Sequence, residues 1–528
     1  MKKSAQSLLF IAVLLASSAL SGCATRTGPE PGTLRVNLGS EPPSLDMHQS
    51  TDNASFDVLC NIMIGLTQYT EDLHCVPAVA KSWEVLDGGR RYVFHLRNDA
   101  KWTDGKRVTA HDFEYAWKRL LNPSTAGAYA FFLYGIHNAQ AYNTGKIKDP
   151  SLVGCKALDD WTFEVQLDRP LAYFIYLTAY GPCSPARKDI IEKFRDRWTE
   201  PGNIVTNGPF MLKKWQHEYK IELAANPNFF AGPPKVKTIK MFMVPEQATA
   251  FALYENNELD FIDNRSLSTA DIEQVKNSPE FTQYQVLRNN YVGFNVTKPP
   301  FTDARVRKAF SMAVDRSIFP TVMKRGQSPL FTWIPPKLMG YSKDDGTTYD
   351  PETAKTLLAE AGYPDGKGFP SLQLLFPYRE DTGIFVETIQ DQFKRNLNIQ
   401  IGLDNEEFKV YLRTLKQDAP PIFTSTWGAD YPDPETFANL FTSYNANNEL
   451  KYKNPKYDAL VEAAGGEQDQ AKRAKLYEQA DKLLIQQDAA LCPLVQAAQN
   501  IMVKPWVHGI SKNAIDIQFF KDVSIDAP

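Results

Sequence analysis

Helix and strand patterns alternate along this chain with no repeat of fixed period, and that alternation most limits the folds it can adopt. Residues 91–97 alternate polar and apolar side chains, as in a half-buried strand. Residues 109–121 predict a helix, because Thr109 and Asp112 can form a capping box ahead of an apolar stripe. Similar patterns predict a strand at 34–38 and helices at 303–315, 350–362 and 471–485. Because 528 residues exceed one hydrophobic core, the pattern predicts an α/β protein of several domains.

The stretch Trp427–Phe437, WGADYPDPETF, carries the clearest chemical signal. Its two prolines and one glycine predict a loop. Asp430 is followed by Tyr431, and Trp427 lies about one turn away. Aromatic rings and a carboxylate together suit a small cationic group, which gains a counter-charge and cation-attracting ring faces. The alternative is an ordinary acidic surface turn.

The first residues form an export signal. Lys2 and Lys3 precede the apolar run 7–20, which is too short to span a bilayer. The box Leu20-Ser21-Gly22-Cys23 resembles the lipobox of bacterial lipoproteins, so residues 1–22 are predicted to be a signal peptide and Cys23 to be lipidated. Residues 23–33 are predicted to be a tether. With no later apolar run of membrane length, we expect a protein anchored outside the cytoplasm, on the periplasmic side in a Gram-negative cell. The alternative is a plain signal peptide with a chance cysteine.

Composition and motifs exclude several classes of function. The net charge of −4 and the lack of a Lys/Arg-rich run argue against nucleic-acid binding. No nucleophile elbow, zinc-protease helix, phosphate loop or dinucleotide fingerprint occurs, and the seven histidines are scattered. Asp430 and Asp433 as a hydrolase pair are the weaker interpretation. We expect no enzyme activity, no cofactor and no metal.

Five cysteines follow Cys23, and their odd number leaves at least one unpaired within the chain. An exported protein permits disulfides. Proximity in sequence suggests Cys60 with Cys75 and Cys155 with Cys183, although sequence alone does not decide the pairing. The spacing fits no zinc site.

Short strings spread along the chain carry a family resemblance. They include Ser44-Leu45-Asp46, Gly65-Leu66, Pro77–Trp83, Trp102-Thr103-Asp104-Gly105, Val108–Phe113, Asn207-Gly208-Pro209-Phe210, Asp303–Arg307 and Lys504-Pro505-Trp506. In this order, and with the 427–437 loop, they resemble the extracytoplasmic oligopeptide- and dipeptide-binding proteins of ABC importers, solute-binding protein family 5.

The resemblance implies an α/β two-lobed periplasmic-binding-protein clamp of class II type with an additional inserted domain. Lobe I would comprise 33–63, 188–287 and 497–528, the inserted domain 64–187, and lobe II 288–496. It also implies short peptides as ligands, permease subunits of an ABC transporter as partners, and a monomer. Open alternatives are another solute, such as a nickel chelate, haem or an oligosaccharide, or a peptide-sensing receptor on this fold.

The resemblance further implies a ligand site. Asp430 would hold the α-ammonium of a bound peptide, and the chain around Gly428 and Tyr291 would pair with its backbone. The other residues carried over are Trp427, Ala429, Tyr431, Tyr129, Phe408 and Asn264. Each aromatic could instead belong to the core.

The chain also departs from the family pattern. Thr51 stands where a glutamate is common, and Thr424 where an arginine is common. Both changes leave ligand length open. Arg379, Arg413 and Lys416 are candidates for holding a ligand carboxylate, or are solvated surface charges.

Overall fold

The computed structural model describes residues 28–378 and 382–526. The predicted signal peptide, Cys23 and Arg379 lie outside the described residues. The strands are β1 Thr33–Asn37, β2 Thr67–Tyr69, β3 Cys75–Pro77, β4 Ala80–Leu86, β5 Arg91–Leu96, β6 Cys155–Asp159, β7 Thr162–Gln166, β8 Phe210–Gln216, β9 Lys220–Ala225, β10 Thr238–Phe242, β11 Phe261–Ile262, β12 Phe281–Phe294, β13 Ser328–Pro329, β14 Gln373–Pro377, β15 Gly402–Glu406, β16 Ile422–Gly428, β17 Leu491–Val503, β18 Val507–His508 and β19 Ser524–Ile525.

The helices interleave with these strands. They are α1 Asn53–Ile62, α2 Ala110–Leu121, α3 Ala139–Asn143, α4 Phe174–Leu177, α5 Lys188–Phe194, α6 Gln247–Glu255, α7 Thr269–Val275, α8 Ala304–Met312, α9 Phe319–Met323, α10 Pro351–Glu360, α11 Thr382–Leu397, α12 Phe408–Asp418, α13 Glu435–Ala438, α14 Pro455–Gly466 and α15 Gln470–Lys482. The α/β prediction is therefore confirmed, and α2, α8, α10 and α15 lie where helices were predicted.

One large mixed sheet organises most of the chain. Its strands run in the order β15-β14-β16-β12-β17-β11-β1-β10-β9-β8, and β13 pairs with β17. The two long antiparallel strands β12 and β17 join the two ends of the sheet, and their register is interrupted between Gln285 and Asn289. The predicted domain limits at 287/288 and 496/497 fall inside these two strands. The boundaries themselves stay a prediction.

A smaller antiparallel sheet, β4-β5-β7-β6, lies within the segment predicted to be inserted. Helix α2 packs on it through Phe113, Ala116 and Trp117, which are fully buried. The main-chain N–H of Thr109 donates to the Asp112 carboxylate over 2.8 Å, so the predicted capping residues do begin this helix.

The described cysteines correct the suggested pairing. Cys60, Cys75, Cys155, Cys183 and Cys492 are all free thiols. The Cys60 thiol donates to the Gln518 carbonyl oxygen, and the Cys75 thiol to the Ile175 carbonyl oxygen. Sequence proximity failed as a guide because these residues lie on different elements that face different neighbours. In residues 28–378 and 382–526, no helix combines the length and apolar character needed to cross a bilayer.

Candidate functional site

A cavity of about 610 Å³ lies where segments distant in sequence meet. Its walls come from α1 and the residues before it, the β2–β3 hairpin, residues 179–184, the end of β16 and the C-terminal segment 509–522. This volume suits a small organic ligand. Gly428, Ala429 and Asp430 line the cavity together with Tyr129. The structure thus brings four of the predicted site residues to one place.

Asp430 is the second residue after β16 and is half-buried. The preceding residue is fixed by a 2.7 Å hydrogen bond from Ala429 N to the Leu287 carbonyl oxygen. Burial raises the pKa of Asp430 to about 7, and a hydrogen bond from Thr436 opposes the rise. Among the described residues, its carboxylate forms no ion pair. A cation brought in by a ligand would favour the charged form of this acid.

Aromatic rings form the wall beside Asp430. The Tyr129 ring lies 5.5 Å from that of Tyr180 in an edge-to-face arrangement, and both pack against Phe56. The Asp430 charge contributes to raising the pKa values of Tyr129, Tyr180 and Tyr69, after the larger effect of burial. The three phenols therefore lie within electrostatic reach of the carboxylate. A carboxylate beside such rings is suited to an ammonium group.

Two predicted aromatics lie in the core rather than at the cavity. Tyr291 is 1% exposed, and its ring packs edge to face on Trp333 and Phe441. Tyr431 is 4% exposed, stacks on Tyr173 with centroids 5.6 Å apart, and donates its hydroxyl hydrogen to Glu435. Neither side chain lines the cavity, because both rings fill apolar space behind the loop, and a role for these two residues in ligand binding stays a prediction.

The remaining carried-over residues also lie outside the cavity lining. Trp427 is half-buried and donates its indole N–H to the Thr436 carbonyl oxygen over 2.8 Å, so it braces the loop. Phe408 begins α12 and is 41% exposed. The Asn264 side chain bonds to Ala498 and Asn500 on β17, which accounts for its amide.

The residues that depart from the family pattern take separate places. Thr51 lines the cavity, whereas Thr424 is buried in β16. Arg413 and Lys416 are exposed on α12 and do not reach the lining. Of the residues that the structure describes, the cationic ones that line the cavity are Arg288 and Lys521.

Several lining residues carried no usable sequence signal. They are Phe56, Tyr69, Tyr180, Arg288 and Asp516. Tyr180 before Gly181-Pro182 reads as a turn, and Arg288 reads as one polar position in a strand. Their meeting depends on the tertiary fold.

Comparison with known proteins identifies similar chains of nearly the same length. Residues 74–449 match the family described as bacterial extracellular solute-binding proteins, family 5 Middle. The periplasmic oligopeptide-binding protein OppA of Salmonella typhimurium is 34% identical over 541 residues, covering 99% of this chain and 98% of OppA. The probable deoxycholate-binding periplasmic protein YgiS of Escherichia coli is 32% identical over 509 residues, covering 93% of each.

A solved structure shows the same likeness in three dimensions. Haemophilus influenzae OppA in complex with RPPGFSPFR matches with a TM-score of 0.78 at 29% identity, covering 94% of this chain and 99% of that one. The predicted α/β two-lobed clamp is confirmed by this likeness.

Proposed function

Because the chain belongs to family 5 of the bacterial extracellular solute-binding proteins, we propose that it captures short peptides outside the cytoplasm and delivers them to an ABC transporter permease. Asp430 holds the α-ammonium of the bound peptide in this proposal. The observation that carries it is a half-buried carboxylate without an ion pair in the described chain, set in an aromatic wall and facing a cavity. OppA of Salmonella typhimurium, an oligopeptide-binding protein by name, supports peptides as the ligand class.

The peptide backbone is proposed to lie against the main chain at Gly428 and Ala429. Gly428 ends β16 opposite Arg288, and a Cβ added there would lie 3.3 Å from Arg288 Nε. The missing side chain leaves room for Arg288 and for close approach of a ligand backbone. Backbone pairing gives affinity that does not depend on the peptide's sequence.

Closure of the two lobes around the ligand is part of the proposal. A peptide that touches both lobes binds the closed state more tightly and so increases its population. The closed form would then dock on the permease. We further propose that Cys23 carries a lipid that anchors the protein to the envelope membrane, as the box at residues 20–23 indicates.

Calorimetry with trialanine and N-acetyl-trialanine tests ammonium capture. Trialanine should bind, and acetylation should weaken it by about thirtyfold or more, because a buried carboxylate then loses its partner. Asp430→Asn should lower the affinity for trialanine by a similar factor. Glu71→Gln is the matched control, since Glu71 lines the same cavity but is exposed. Equal binding of the two peptides to the unmodified protein would refute the proposal.

A steroid acid is the second candidate ligand, favoured by the 32% identity to YgiS, which is named for deoxycholate. Its carboxylate would meet the Asp430 charge, so this ligand should bind better in Asp430→Asn. Deoxycholate titrated into both proteins separates the two ligand classes. Peptide binding lost in the variant together with weak deoxycholate binding in both supports the peptide.

A further inference from the structure

We propose that two further charged residues in the cavity, Arg288 and Asp516, select peptides that end in a basic residue. Arg288 would hold the terminal carboxylate, and Asp516 would hold the ammonium or guanidinium of the last side chain. This inference rests on the proposed peptide function and names the peptides that the site prefers. Both residues line the cavity that contains Asp430.

Arg288 lies on β12 directly opposite Gly428 and is half-buried. In the described part of the chain it forms no ion pair. A guanidinium with unused donors in a cavity suits a carboxylate, which it can bind through two parallel hydrogen bonds.

Asp516 belongs to the C-terminal segment and is positioned by its neighbours. Its main-chain N–H donates to the Asn513 carbonyl oxygen over 3.2 Å, and its Oδ1 accepts from Gln499 Nε2 over 2.7 Å. No ion pair involves it among the described residues. Arg288 influences its ionisation without contacting it, so the two side chains are near each other but not joined.

The charges around this pair leave a negative excess. Asp57 and Asp263 share one cation, since Arg265 contacts both carboxylates. With their carboxyls ionised these three residues carry one net negative charge, and Asp516 adds another in its deprotonated form. A peptide that brings only a carboxylate to Arg288 therefore leaves the excess in place, whereas a basic last residue offsets one of the charges. Burial and the two neighbouring acids raise the pKa of Asp516 to about 7, as expected for such an excess.

The Arg288–Asp516 pair is separate from the ammonium site. The pKa of Asp430 responds to burial and to Thr436, and neither Arg288 nor Asp516 contributes to it. The charge of Arg288 or Asp516 can therefore be changed without altering the charge at Asp430, and the reverse also holds. That separation allows the two proposals to fail independently.

The test compares alanine di-, tri- and tetrapeptides that end in lysine with matched peptides that end in norleucine, which has a similar stem but no charge. For the peptide length that the cavity accommodates, calorimetry of the unmodified protein should show at least about tenfold tighter binding of the lysine-ending peptide than of the norleucine-ending peptide. Asp516→Asn should remove this preference and leave norleucine peptides nearly unchanged. Asp522→Asn is the matched control, because Asp522 lines the cavity with a side chain that is 78% exposed; it should retain the preference.

Arg288→Gln tests the carboxylate. This variant should bind the free acid Ala-Ala-Lys about tenfold more weakly than the unmodified protein does, and its affinity for the C-terminal amide of that peptide should be unchanged. No lysine preference in the unmodified protein, or a preference that survives in Asp516→Asn, would overturn the inference. The two proposals are distinguished by one pattern of results. If Asp430→Asn binds no peptide while Asp516→Asn keeps the preference for lysine, the proposed function is supported and this selectivity is refuted.

Discussion

Arg473 forms a fully buried, bidentate ion pair with Asp433, which lies in the same loop as Asp430. Nη1 and Nη2 of Arg473 lie 2.7 and 2.6 Å from the two carboxylate oxygens, and each side chain is 1% exposed. Arg473 also donates to the Ala464 carbonyl oxygen. The ion pair therefore links the loop to α14 and α15, and it fixes the chain three residues beyond Asp430.

Replacing Arg473 with methionine should destabilise the fold by about 3–5 kcal/mol, because Asp433 would keep a buried charge without a partner. Urea unfolding measures the change. Arg395→Met is the matched control, since Arg395 pairs with Asp391 at 2.6 Å but both side chains are 59% exposed. That variant should lose less than about 1 kcal/mol. Equal losses in the two variants would show that burial of the pair does not matter.

Peptide affinity should depend on pH through Asp430. Its pKa is about 7 in the free protein, and a bound ammonium favours the carboxylate, so binding at pH 6 releases a proton. Affinity should therefore fall as pH drops below 7, approaching tenfold per unit. It should also fall above about pH 8, where the peptide's own amine loses its charge.

Trialanine is the appropriate ligand for this pH series, because it lacks a basic side chain that Asp516 could bind. Calorimetry from pH 5.5 to 9 gives the profile. Asp430→Asn should flatten both sides of the profile, because the carboxylate that titrates on the acid side is also the group that favours the charged amine on the alkaline side. A flat profile between pH 6 and 8 in the unmodified protein would contradict ammonium capture by Asp430.

Local patterns predicted local structure well. The Thr109–Asp112 capping pair lies within four residues of chain, so its geometry follows from the helix start alone. The same holds for Asp350, whose carboxylate accepts from Thr353 N at the start of α10. The loop prediction for 427–437 is right for its middle and wrong at both ends, because Trp427 and Gly428 end β16 and Glu435 begins α13.

The cavity was predictable only in part, since its chemistry depends on which face of each element turns inward. Tyr129 and Tyr291 are equally suited to a wall or to a core by residue type, yet one lines the cavity and the other is 1% exposed. Arg288 and Asp516 are 228 positions apart in sequence and meet only through the fold. No periodicity along the chain encodes such a meeting.

Stability should decrease as pH rises from 5 to 8. Burial raises the pKa to about 7 for Asp430, Glu435, Glu449 and Asp516, and to about 8 for Asp481. The unfolded chain releases these protons near pH 4. The folded state therefore binds more protons across this pH range, and linkage makes the free energy of unfolding fall as pH increases.

Asp481→Asn isolates one contribution to that slope. The Asp481 carboxyl accepts from the N–H groups of Trp333 and Ile334, and an asparagine oxygen can accept in the same way. Urea unfolding at pH 5 and pH 8 should show a smaller loss in this variant than in the unmodified protein. Asp391→Asn, at an exposed site, should leave the slope unchanged. A larger slope in Asp481→Asn would contradict the assignment.

Gly65 lines the cavity and packs closely against the segment that carries Tyr180, where a side chain has no room. A Cβ added at Gly65 would lie 2.4 Å from the Thr178 carbonyl oxygen, and that oxygen also accepts from Thr67 N. The backbone cannot move away without breaking this contact. Gly65→Ala should therefore cost about 1–3 kcal/mol in the free energy of unfolding.

Gly65→Ala should also lower the affinity for trialanine, because a displacement of residues 178–180 would move the Tyr180 ring away from Asp430. Gly383→Ala provides the matched control, because Gly383 lies in α11 and no atom of the described residues lies within 4 Å of the added carbon. Alanine there should stabilise the protein by about 0.5–1 kcal/mol, because it lowers the backbone entropy lost on folding, and peptide affinity should not change. Urea unfolding and calorimetry on both variants measure the two effects. An unchanged free energy of unfolding in Gly65→Ala would contradict the prediction, because it would show that the cavity wall accommodates a Cβ beside Thr178.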